Sequence, residues 1–328
     1  MLEPTAPGAA GPDGAGPAIR EARIQLEGEG GEVFLLAYAS DIALPPWERP
    51  RDGREAPARA AGRLLVLLDI TELNRTVQVK VDFASNASHE LRTPLSAIRA
   101  AVDTLNNLDP AAAPEAARHF LNMIDRHSSR MEDMVSDLLD LSKIETSPTQ
   151  FRPETLNLVQ QLNALHNRFI DRLEQKQLQW RLDLPDQPGV FTVNPYLLRL
   201  VLDNLVDNAI KFTDSGGTIT VGCVREPAGD DRPETLTITV SDTGCGIAEN
   251  EQGRVFERFY QVEKARSGPN RGTGLGLSIV RHAVAAMNGR VKLVSRPGEG
   301  TSVSVAIPQP SGARQALSGA AGGAAPRE

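Results

Sequence analysis

The sequence predicts a short β segment, then a long helix hairpin, and then a two-layer α/β sandwich. Apolar runs bounded by glycine, proline and charged residues predict strands before residue 72. Apolar and small residues then recur with alternating steps of four and three, which is the spacing of helices packed in a bundle. Beyond the break at Ser147–Pro148, helical and strand-like patterns alternate, which favours helices covering one face of a mixed sheet.

Composition argues against several classes of protein. The chain has 328 residues, a net charge of −7 and no basic tract, so nucleic acid is not expected as a direct partner. Its two cysteines, Cys223 and Cys245, indicate a reducing compartment and neither a disulfide nor a zinc site. The apolar runs at Val33–Ala39 and Leu64–Leu68 are far shorter than the roughly 20 residues of a spanning helix. With no signal-peptide pattern either, we expect a cytoplasmic chain without a membrane span.

Both ends of the chain are tracts of glycine, alanine and proline, so residues 1–18 and 311–328 are expected to be disordered. The β segment, residues 19–72, contains the strand-like runs EARIQLEGEG, EVFLLAYASDIA and GRLLVLLDIT. Its last run ends at Asp69-Ile70-Thr71 and leads directly into the long helix. Two interpretations of this segment stay open, a small β cap on the helix and a sensing domain.

The helix hairpin is predicted over residues 73–147. Its first helix covers Leu73–Leu108 and its second runs from Pro114 to about Ile144, with Asp109–Pro114 as the break. The seam of the first helix consists of Val77, Val81, Ala84, Ser88, Leu91, Leu95, Ile98, Val102 and Leu105. The seam of the second consists of Phe120, Ile124, His127, Met131, Met134, Leu138 and Leu141. One hairpin cannot cover its own apolar stripe, so two copies are expected to form an antiparallel four-helix bundle, a homodimer.

His89 lies one residue after a seam position, so its ring is expected to point outward from the bundle. Glu90 is placed to hydrogen-bond one ring nitrogen and to leave the other as a nucleophile. Thr93 shares the face of His89 one turn later. Pro94 removes a helical hydrogen bond, at a cost of roughly 3 kcal/mol in a helix interior, and predicts a bending point near His89. The alternative interpretation of His89 is an ordinary surface histidine on a helix.

The third region, residues 151–310, is predicted to alternate helices and strands. The predicted strands are Leu178–Leu184, Thr218–Arg225, Thr235–Ser241, Arg290–Ser295 and Thr301–Ile307. The predicted helices are Leu156–Gln175, Pro195–Phe212 and Gly276–Met287. On the second of these helices, Asn204, Asn208 and Lys211 share one face. An asparagine can offer its carbonyl oxygen to Mg²⁺ and a lysine its charge to phosphate, although a polar stripe facing solvent fits the same pattern.

Two glycine-bearing turns stand next to regular elements. The turn DTGCGI at Asp242–Ile247 follows a strand, and its carboxylate can accept a bond from an exocyclic amine such as that of adenine. The turn GTGLGL at Gly272–Leu277 precedes a helix, where backbone N–H groups favour phosphate. An ordinary strand-to-helix turn would explain the first turn alone, and a dinucleotide fold competes for the second. That fold lacks support because no βαβ unit with an acidic residue about 20 positions on surrounds the turn.

An aromatic segment lies between these turns, VFERFY at Val255–Tyr260, and a polar loop at Gln261–Arg271 follows it. An aromatic anchor followed by a flexible segment is typical of a lid over a nucleotide.

The segment SHELRTPL around His89 resembles the H-box of sensor histidine kinases, in the subclass with a glutamate after the histidine. In order and spacing, the segments at Asn204–Phe212, Asp242–Ile247, Val255–Tyr260 and Gly272–Leu277 resemble the N, G1, F and G2 boxes of the ATP-binding domain of that family. That domain has the GHKL (Bergerat) fold of gyrase-, Hsp90- and MutL-type ATPases. The H-box and second helix are most similar to phosphate-regulon-type sensor kinases. The β segment resembles roughly half of a PAS sensor domain.

The resemblance implies roles for individual residues in binding ATP. Asn204 and Asn208 would hold Mg²⁺ and the phosphates, Lys211 would contact the phosphates, and Phe212 would lie against the nucleotide. The adenine amino group would be recognised by Asp242, with support from Gly244 and Gly246. The turn that would cover the triphosphate consists of Gly272, Thr273, Gly274, Leu275 and Gly276. A small departure is Asn194, which stands before Pro195 where the family commonly has aspartate.

The same resemblance implies an ATP-dependent protein-histidine kinase that phosphorylates its own His89 and passes the phosphoryl group to an aspartate of a response regulator. Glu90 would stabilise the charge that develops on the imidazole ring, and Thr93 would position water for the reverse activity, as a phosphatase of the regulator. The chain would be cytoplasmic, or the cytoplasmic part of a membrane-associated sensor. Two alternatives are a GHKL-type ATPase without phosphotransfer and a non-catalytic scaffold that binds a regulator.

Overall fold

The computed structural model describes residues 20–28, 31–44, 60–109, 113–146, 151–185, 189–229, 233–262 and 272–310. The tails 1–18 and 311–328, the Ser147–Pro148 break and most of the expected lid loop lie outside the described residues. The chain divides into two compact units, Met1–Asn86 and Ala87–Glu328. Across the ranges given above, no helix is both long and apolar enough to cross a membrane.

The first unit contains an antiparallel sheet with the strand order β1-β2-β3, as the three apolar runs predicted. Its strands are β1 Arg20–Gly28, β2 Gly31–Leu44 and β3 Ala60–Asp69. The Asp69-Ile70-Thr71 junction joins this sheet to the long helix. The Thr71 N–H donates to Asp69 Oδ1 at 2.9 Å, while the buried Thr71 hydroxyl oxygen accepts from the Phe34 N–H at 3.0 Å. These bonds hold the start of the helix on the sheet. Hydrogen bonds from the side chain and from the N–H of Thr71 lower the pKa of Asp69.

Two long helices form the hairpin, α1 Thr71–Asn106 and α2 Pro114–Thr146. Both predicted helices are confirmed, with ends that differ by about two residues. The helix α1 continues through Pro94, which is buried, so the expected interruption does not end it. In the seam of α2, Met134 and Leu141 are fully buried and the other side chains are half-buried. The seam of α1 is only partly covered, because Val77, Val81, Leu95 and Val102 are exposed.

The ATP-binding-like region has the predicted two-layer architecture. Its main sheet has the order β5-β7-β8-β10-β9, with β5 parallel to β7 and all other pairs antiparallel. The strands of this sheet are β5 Gln179–Asp183, β7 Thr218–Glu226, β8 Thr235–Asp242, β9 Arg290–Arg296 and β10 Gly300–Pro308. The helices are α3 Leu158–Gln175, α4 Pro195–Phe212, α5 Glu249–Gln252 and α6 Gly276–Ala286. A separate antiparallel pair consists of β4 Glu154–Asn157 and β6 Val190–Val193.

Alternation along the central strands explains the core. Over at least six consecutive residues in each of β7, β8 and β10, every second side chain is buried, including Ile219, Ile238 and Val305. Full burial of such a side chain contributes roughly 1.5–3 kcal/mol. The opposite face pairs hydroxyl groups across the strands, as in Ser241 with Ser302 at 2.8 Å. One face of the sheet therefore packs on other elements, and the other face is polar and half-exposed.

The starts of two helices are set by asparagine caps. Asn194 Oδ1 accepts from the Leu197 N–H at 2.9 Å, and Pro195 occupies the first turn, where no backbone N–H is needed. The departure from aspartate at position 194 therefore keeps the capping oxygen. The helix α3 begins at Leu158, two residues later than predicted, because Leu156 belongs to β4 and Asn157 forms the cap.

Candidate active site

The H-box lies on α1. His89 is exposed, as its place beside the seam predicted, and Thr93 Oγ1 donates to the His89 carbonyl oxygen at 3.3 Å. Glu90 was expected to orient the imidazole ring. In the structure its carboxylate pairs with the guanidinium of Arg130 on α2, at 3.4 Å. Sequence reasoning did not identify Arg130, whose partner is 40 residues away along the chain.

The polar face of α4 meets the N-terminus of α6. A Cβ atom added at Gly276 would lie 2.7 Å from Asn204 Oδ1 and 3.7 Å from Asn208 Nδ2. The Asn204 Nδ2 atom donates to the Leu200 carbonyl at 2.8 Å, which turns Oδ1 toward the glycine-rich turn. Both asparagines are half-buried. The N box and the G2 box, which are about 70 residues apart in the chain, therefore meet in one cleft.

At the end of α4, Lys211 Nζ pairs with Asp207 Oδ2 at 2.5 Å, one turn back on the same helix. Asp207 also pairs with Arg172 of α3 at 2.7 Å. The neighbouring Phe212 is half-buried, and its carbonyl oxygen accepts from the Cys245 N–H at 3.3 Å. The main chain of Phe212 therefore holds the G1 turn beside the polar face of α4.

Asp242 ends β8 at the edge of this cleft. Its Oδ1 accepts from the Gly244 N–H at 2.8 Å and the Thr301 N–H at 3.3 Å. Burial raises the pKa of Asp242, and the two N–H donors act in the opposite direction. A carboxylate held by backbone donors in a partly buried cleft is well suited to accept a hydrogen bond from a ligand amine.

Three glycines keep the main chain close around Asp242. A Cβ at Gly244 would lie 2.3 Å from the Phe212 carbonyl oxygen. At Gly246, φ is +67° and a Cβ would lie 1.9 Å from the carbonyl oxygen of Arg296. Gly300 has φ of +104° and would place a Cβ 1.9 Å from the Asp242 carbonyl oxygen. Sequence reasoning missed Gly300, although its position in the β9–β10 turn RPGEG was a signal for a positive φ.

The F and G2 boxes contact one another through their main chains. The Phe259 N–H donates to the Gly274 carbonyl at 2.9 Å. Phe259 has φ of +62° and Gly274 of +74°, and a Cβ at Gly274 would lie 2.7 Å from the carbonyl carbon of Phe259. A non-glycine residue with a positive φ is uncommon and is found mostly where the surrounding structure enforces it. The aromatic segment therefore sets the position of the glycine-rich turn.

The donor chemistry of this cleft fits Mg²⁺. Mg²⁺ is usually held by one or two protein oxygens together with phosphate oxygens and water. Asn204 supplies an amide oxygen beside the space that a Cβ atom at Gly276 would fill. Asn208 lies one turn further along the same face of α4. Among the described residues, no three or more histidine, cysteine, aspartate or glutamate side chains form a group that could hold a metal ion.

The ATP-binding-like region also contacts α2, which sequence reasoning did not anticipate. Arg130 donates to the Gly272 carbonyl at 3.2 Å, and Thr273 Oγ1 donates to Asp137 Oδ2 at 2.7 Å. Arg258, which belongs to the F box, pairs with Glu145 in the last turn of α2. Charged residues on the outer side of a bundle helix carry no periodic signal of their own, so only the assembled structure identifies these contacts.

Comparisons with known proteins agree with this geometry. Residues 79–147 match the family model of the His Kinase A (phospho-acceptor) domain. Residues 193–311 match that of the histidine kinase-, DNA gyrase B-, and HSP90-like ATPase. The H-box lies in the first match, and the N, G1, F and G2 boxes lie in the second.

Individual relatives are similar over most of the chain. Sensor histidine kinase WalK of Bacillus subtilis is 33% identical over 247 residues, which are 75% of this chain and 39% of WalK. Drug sensory protein A of Synechocystis sp. is 36% identical over 247 residues, 74% of this chain and 37% of that protein. The chain thus spans less than half the length of these two relatives.

Among solved structures, the histidine kinase ThkA in complex with the response regulator protein TrrA matches with a TM-score of 0.58. The match has 19% identity and covers 85% of this chain and 79% of that one, so it supports the fold. The phospho-acceptor hairpin, the ATPase-type domain and their boxes all agree with the two family models. The chain therefore contains the phospho-acceptor domain and the ATPase-type domain of the histidine kinases.

Proposed function

We propose that this chain is a protein-histidine kinase that phosphorylates its own His89 with ATP and passes the phosphoryl group to an aspartate of a response regulator. The observation that carries the proposal is the meeting of Asn204 and Asn208 with the Gly276 turn, in a protein that also exposes His89 on a hairpin. The region that holds this cleft, residues 151–310, is the catalytic ATP-binding domain. Residues 73–147 form the dimerisation and phosphotransfer domain, and residues 19–72 form a partial PAS-like sensor segment.

Nucleotide binding follows from the chemistry of the cleft. Asp242 accepts a bond from the adenine amino group, and Gly244 and Gly246 allow the close approach of the base. Phe212 lies against the nucleotide, and Lys211 contacts the phosphates. The turn of Gly272, Thr273, Gly274, Leu275 and Gly276 covers the triphosphate, where the N-terminus of α6 favours negative charge. When bound at Asn204 and Asn208, Mg²⁺ neutralises phosphate charge.

In the transfer step, one ring nitrogen of His89 attacks the γ-phosphorus, the bond from that phosphorus to the β,γ-bridging oxygen breaks, and ADP leaves. Glu90 stabilises the positive charge on the ring, which is then relieved by loss of the proton from the other nitrogen. The phosphoryl group next moves from His89 to the carboxylate of the regulator. Thr93 positions water for the reverse activity, hydrolysis of the aspartyl phosphate.

The exposed apolar residues of the hairpin support a homodimer. On α1 these include Val77, Val81, Leu95 and Val102, and on α2 Leu121, Val135 and Leu139. A second hairpin would cover these stripes in an antiparallel four-helix bundle. The chain acts in the cytoplasm or as the cytoplasmic part of a membrane-associated sensor.

The test is incubation with Mg²⁺ and γ-labelled ATP. Wild type is expected to carry acid-labile, base-stable label, and His89→Gln and Asn208→Ala are expected to carry none. The matched control is His119→Gln, which changes an exposed histidine on α2 and should label normally. Label that persists in His89→Gln would contradict the assigned nucleophile. ATP binding without any label on wild type would favour an ATPase or a scaffold.

A further inference from the structure

One contact between α2 and the glycine-rich turn puts a carboxylate where the proposed function expects phosphate. Thr273 Oγ1 donates to Asp137 Oδ2 at 2.7 Å. The Thr273 Oγ1 atom also accepts from the Leu275 N–H at 3.2 Å. The hydroxyl group that would face the triphosphate is therefore already engaged by a carboxylate oxygen. The positive charge of Lys211, proposed for the phosphates, also acts on Asp137.

A second contact holds the preceding residue of the turn on α2. Arg130 lies two helical turns before Asp137 and donates to the Gly272 carbonyl at 3.2 Å. The same guanidinium pairs with Glu90 of the H-box at 3.4 Å, and its side chain is only 17% exposed. One segment of α2 therefore holds both the start of the glycine-rich turn and the carboxylate beside the phosphorylated histidine.

We propose that Asp137 is a positioning residue that holds the glycine-rich turn on α2 by taking the place of a phosphate oxygen, so that this docked state and ATP binding exclude one another. The inference rests on the proposed function, because it names a contact that competes with ATP for the glycine-rich turn. The Thr273 hydroxyl has one proton to donate and gives it to Asp137, so a phosphate oxygen cannot accept that proton while the turn is docked. Binding of the triphosphate therefore releases the turn from α2.

This arrangement makes the docked state sensitive to pH. The groups that face Asp137 are Thr273 on the turn, Lys211 on α4, and Asp133 and Asp140 on α2 itself. Burial raises the pKa of Asp137 from 3.8 to about 6, against the opposing effects of the Thr273 bond and the Lys211 charge. Release returns this carboxyl group to water and toward its ordinary pKa. The docked state thus binds the proton more tightly, so acid favours docking and ATP affinity rises as the pH increases through about 6.

The test compares direct binding of ATP to full-length variants across this pH range. Asp137→Asn keeps an oxygen that can accept from Thr273 but stays neutral, so it reproduces the protonated docked state at every pH. We expect its ATP affinity at about pH 8 to be ~tenfold lower than that of wild type, within the limit of on the order of 100-fold set by the pKa difference. Its affinity should also lack the wild-type rise that lies between the ordinary pKa of 3.8 and the docked value of about 6.

Asp125→Asn is the matched control, since Asp125 is exposed on the same helix and is not among the charged groups that face Asp137. It should keep the wild-type profile, including the titration of the nucleotide itself. Asp137→Lys is expected to weaken docking of the turn on α2. Its ammonium group repels Lys211 and cannot accept a hydrogen bond from Thr273. We expect this variant to bind ATP at least as tightly as wild type, without the rise near pH 6. Thermal unfolding establishes that each variant is folded.

An Asp137→Asn variant with the wild-type affinity and pH profile would overturn the inference. So would Asn and Lys variants that shift the affinity in the same direction. Failure of wild type to bind ATP at any pH would remove the proposed function together with this inference. Because binding is measured directly, the result does not depend on phosphorylation of His89.

Discussion

Tyr196 donates its hydroxyl to Asp140 at 2.7 Å, which joins the first turn of α4 to α2 across 56 residues of chain. The ring of Tyr196 stacks on Phe151 with a centroid distance of 5.7 Å and an interplanar angle of 2°. Burial, and then the bond to Asp140, raise the pKa of the Tyr196 hydroxyl. This pair therefore belongs to the same set of contacts on α2 as Asp137 with Thr273.

Tyr196→Phe removes the hydroxyl and keeps the stacked ring. A hydrogen bond to a charged group contributes about 1.5–3 kcal/mol, so contact between α4 and α2 should weaken by about that amount. We expect faster amide hydrogen exchange in the part of α2 around Asp140, measured by mass spectrometry. Tyr38→Phe, on β2 of the first unit, is the control and should leave exchange in α2 unchanged. Equal protection in wild type and Tyr196→Phe would show that the hydroxyl does not hold this contact.

Gly276→Ala is expected to weaken nucleotide binding, because its Cβ would lie 2.7 Å from Asn204 Oδ1. Either Asn204 moves away from the phosphates or the glycine-rich turn moves out of the cleft. We expect a loss of ATP affinity of at least ~tenfold, which corresponds to about 1.4 kcal/mol. Gly253→Ala is the control, since φ is −67° and a Cβ there meets nothing within 4 Å. Isothermal titration with ATP measures both, and normal binding by Gly276→Ala would contradict the cleft geometry.

Gly300→Ala tests a residue that lies outside the recognised boxes. A Cβ at this position would lie 1.9 Å from the Asp242 carbonyl oxygen, in a main chain with φ of +104°. The β8–β10 pairing beside Asp242 must shift, so we expect a loss of roughly 2–4 kcal/mol in stability together with weaker ATP binding. Gly298→Ala should cost only about 1–2 kcal/mol, because φ is +80° but nothing lies within 4 Å. Denaturant unfolding that gave equal losses would contradict this difference.

Asp242→Asn is expected to separate binding from stability. Burial raises the pKa of Asp242 in the folded state, so the folded protein binds this proton more tightly than the unfolded chain does. Its contribution to stability is therefore greatest below the unfolded pKa of 3.8 and falls as the pH rises through the folded value. Asparagine carries no charge and can still accept from the Gly244 N–H. At neutral pH we expect unchanged or higher thermal stability but little adenine-nucleotide binding.

For Asp242→Asn, both the thermal stability and the ATP affinity are measured. Thermal unfolding measured from about pH 4 to 8 should show a smaller decline with pH for Asp242→Asn than for wild type. Binding is measured with ATP and, as a control for base recognition, with GTP. A variant that kept full ATP affinity would refute the role of Asp242 as the acceptor from adenine.

Local signals account for the elements that were predicted closely. The bounds of α4 were predicted without error, because Asn194 provides a cap, Pro195 suits the first turn and an apolar stripe continues to Phe212. In the main sheet, the first six residues of β7 and of β8 alternate between half-exposed and buried side chains. By contrast, β4 and β6 have four residues each and contain too little alternation to be recognised, so the start of α3 was placed inside β4.

The residues proposed to bind the nucleotide were identified from sequence because their spacing reflects local geometry. Asn204, Asn208 and Lys211 share a helix face, and the glycines of the G1 and G2 boxes stand where the main chain turns sharply. A motif of this kind depends on neighbouring residues alone. Such a motif can therefore be recognised without knowing which residues lie across the cleft.

Periodicity and motif spacing thus determine the helices, the main strands, the H-box and the four nucleotide boxes. Only the tertiary structure decides which side chains face these boxes. Arg130, Asp137, Asp140 and Glu145 lie on one helix with no motif to mark them, yet each contacts the ATP-binding domain or the H-box. A charged side chain on a helix surface has the same local pattern whether it meets water or another domain. Its partner is set by packing between segments far apart in the chain, and that packing has no local signature.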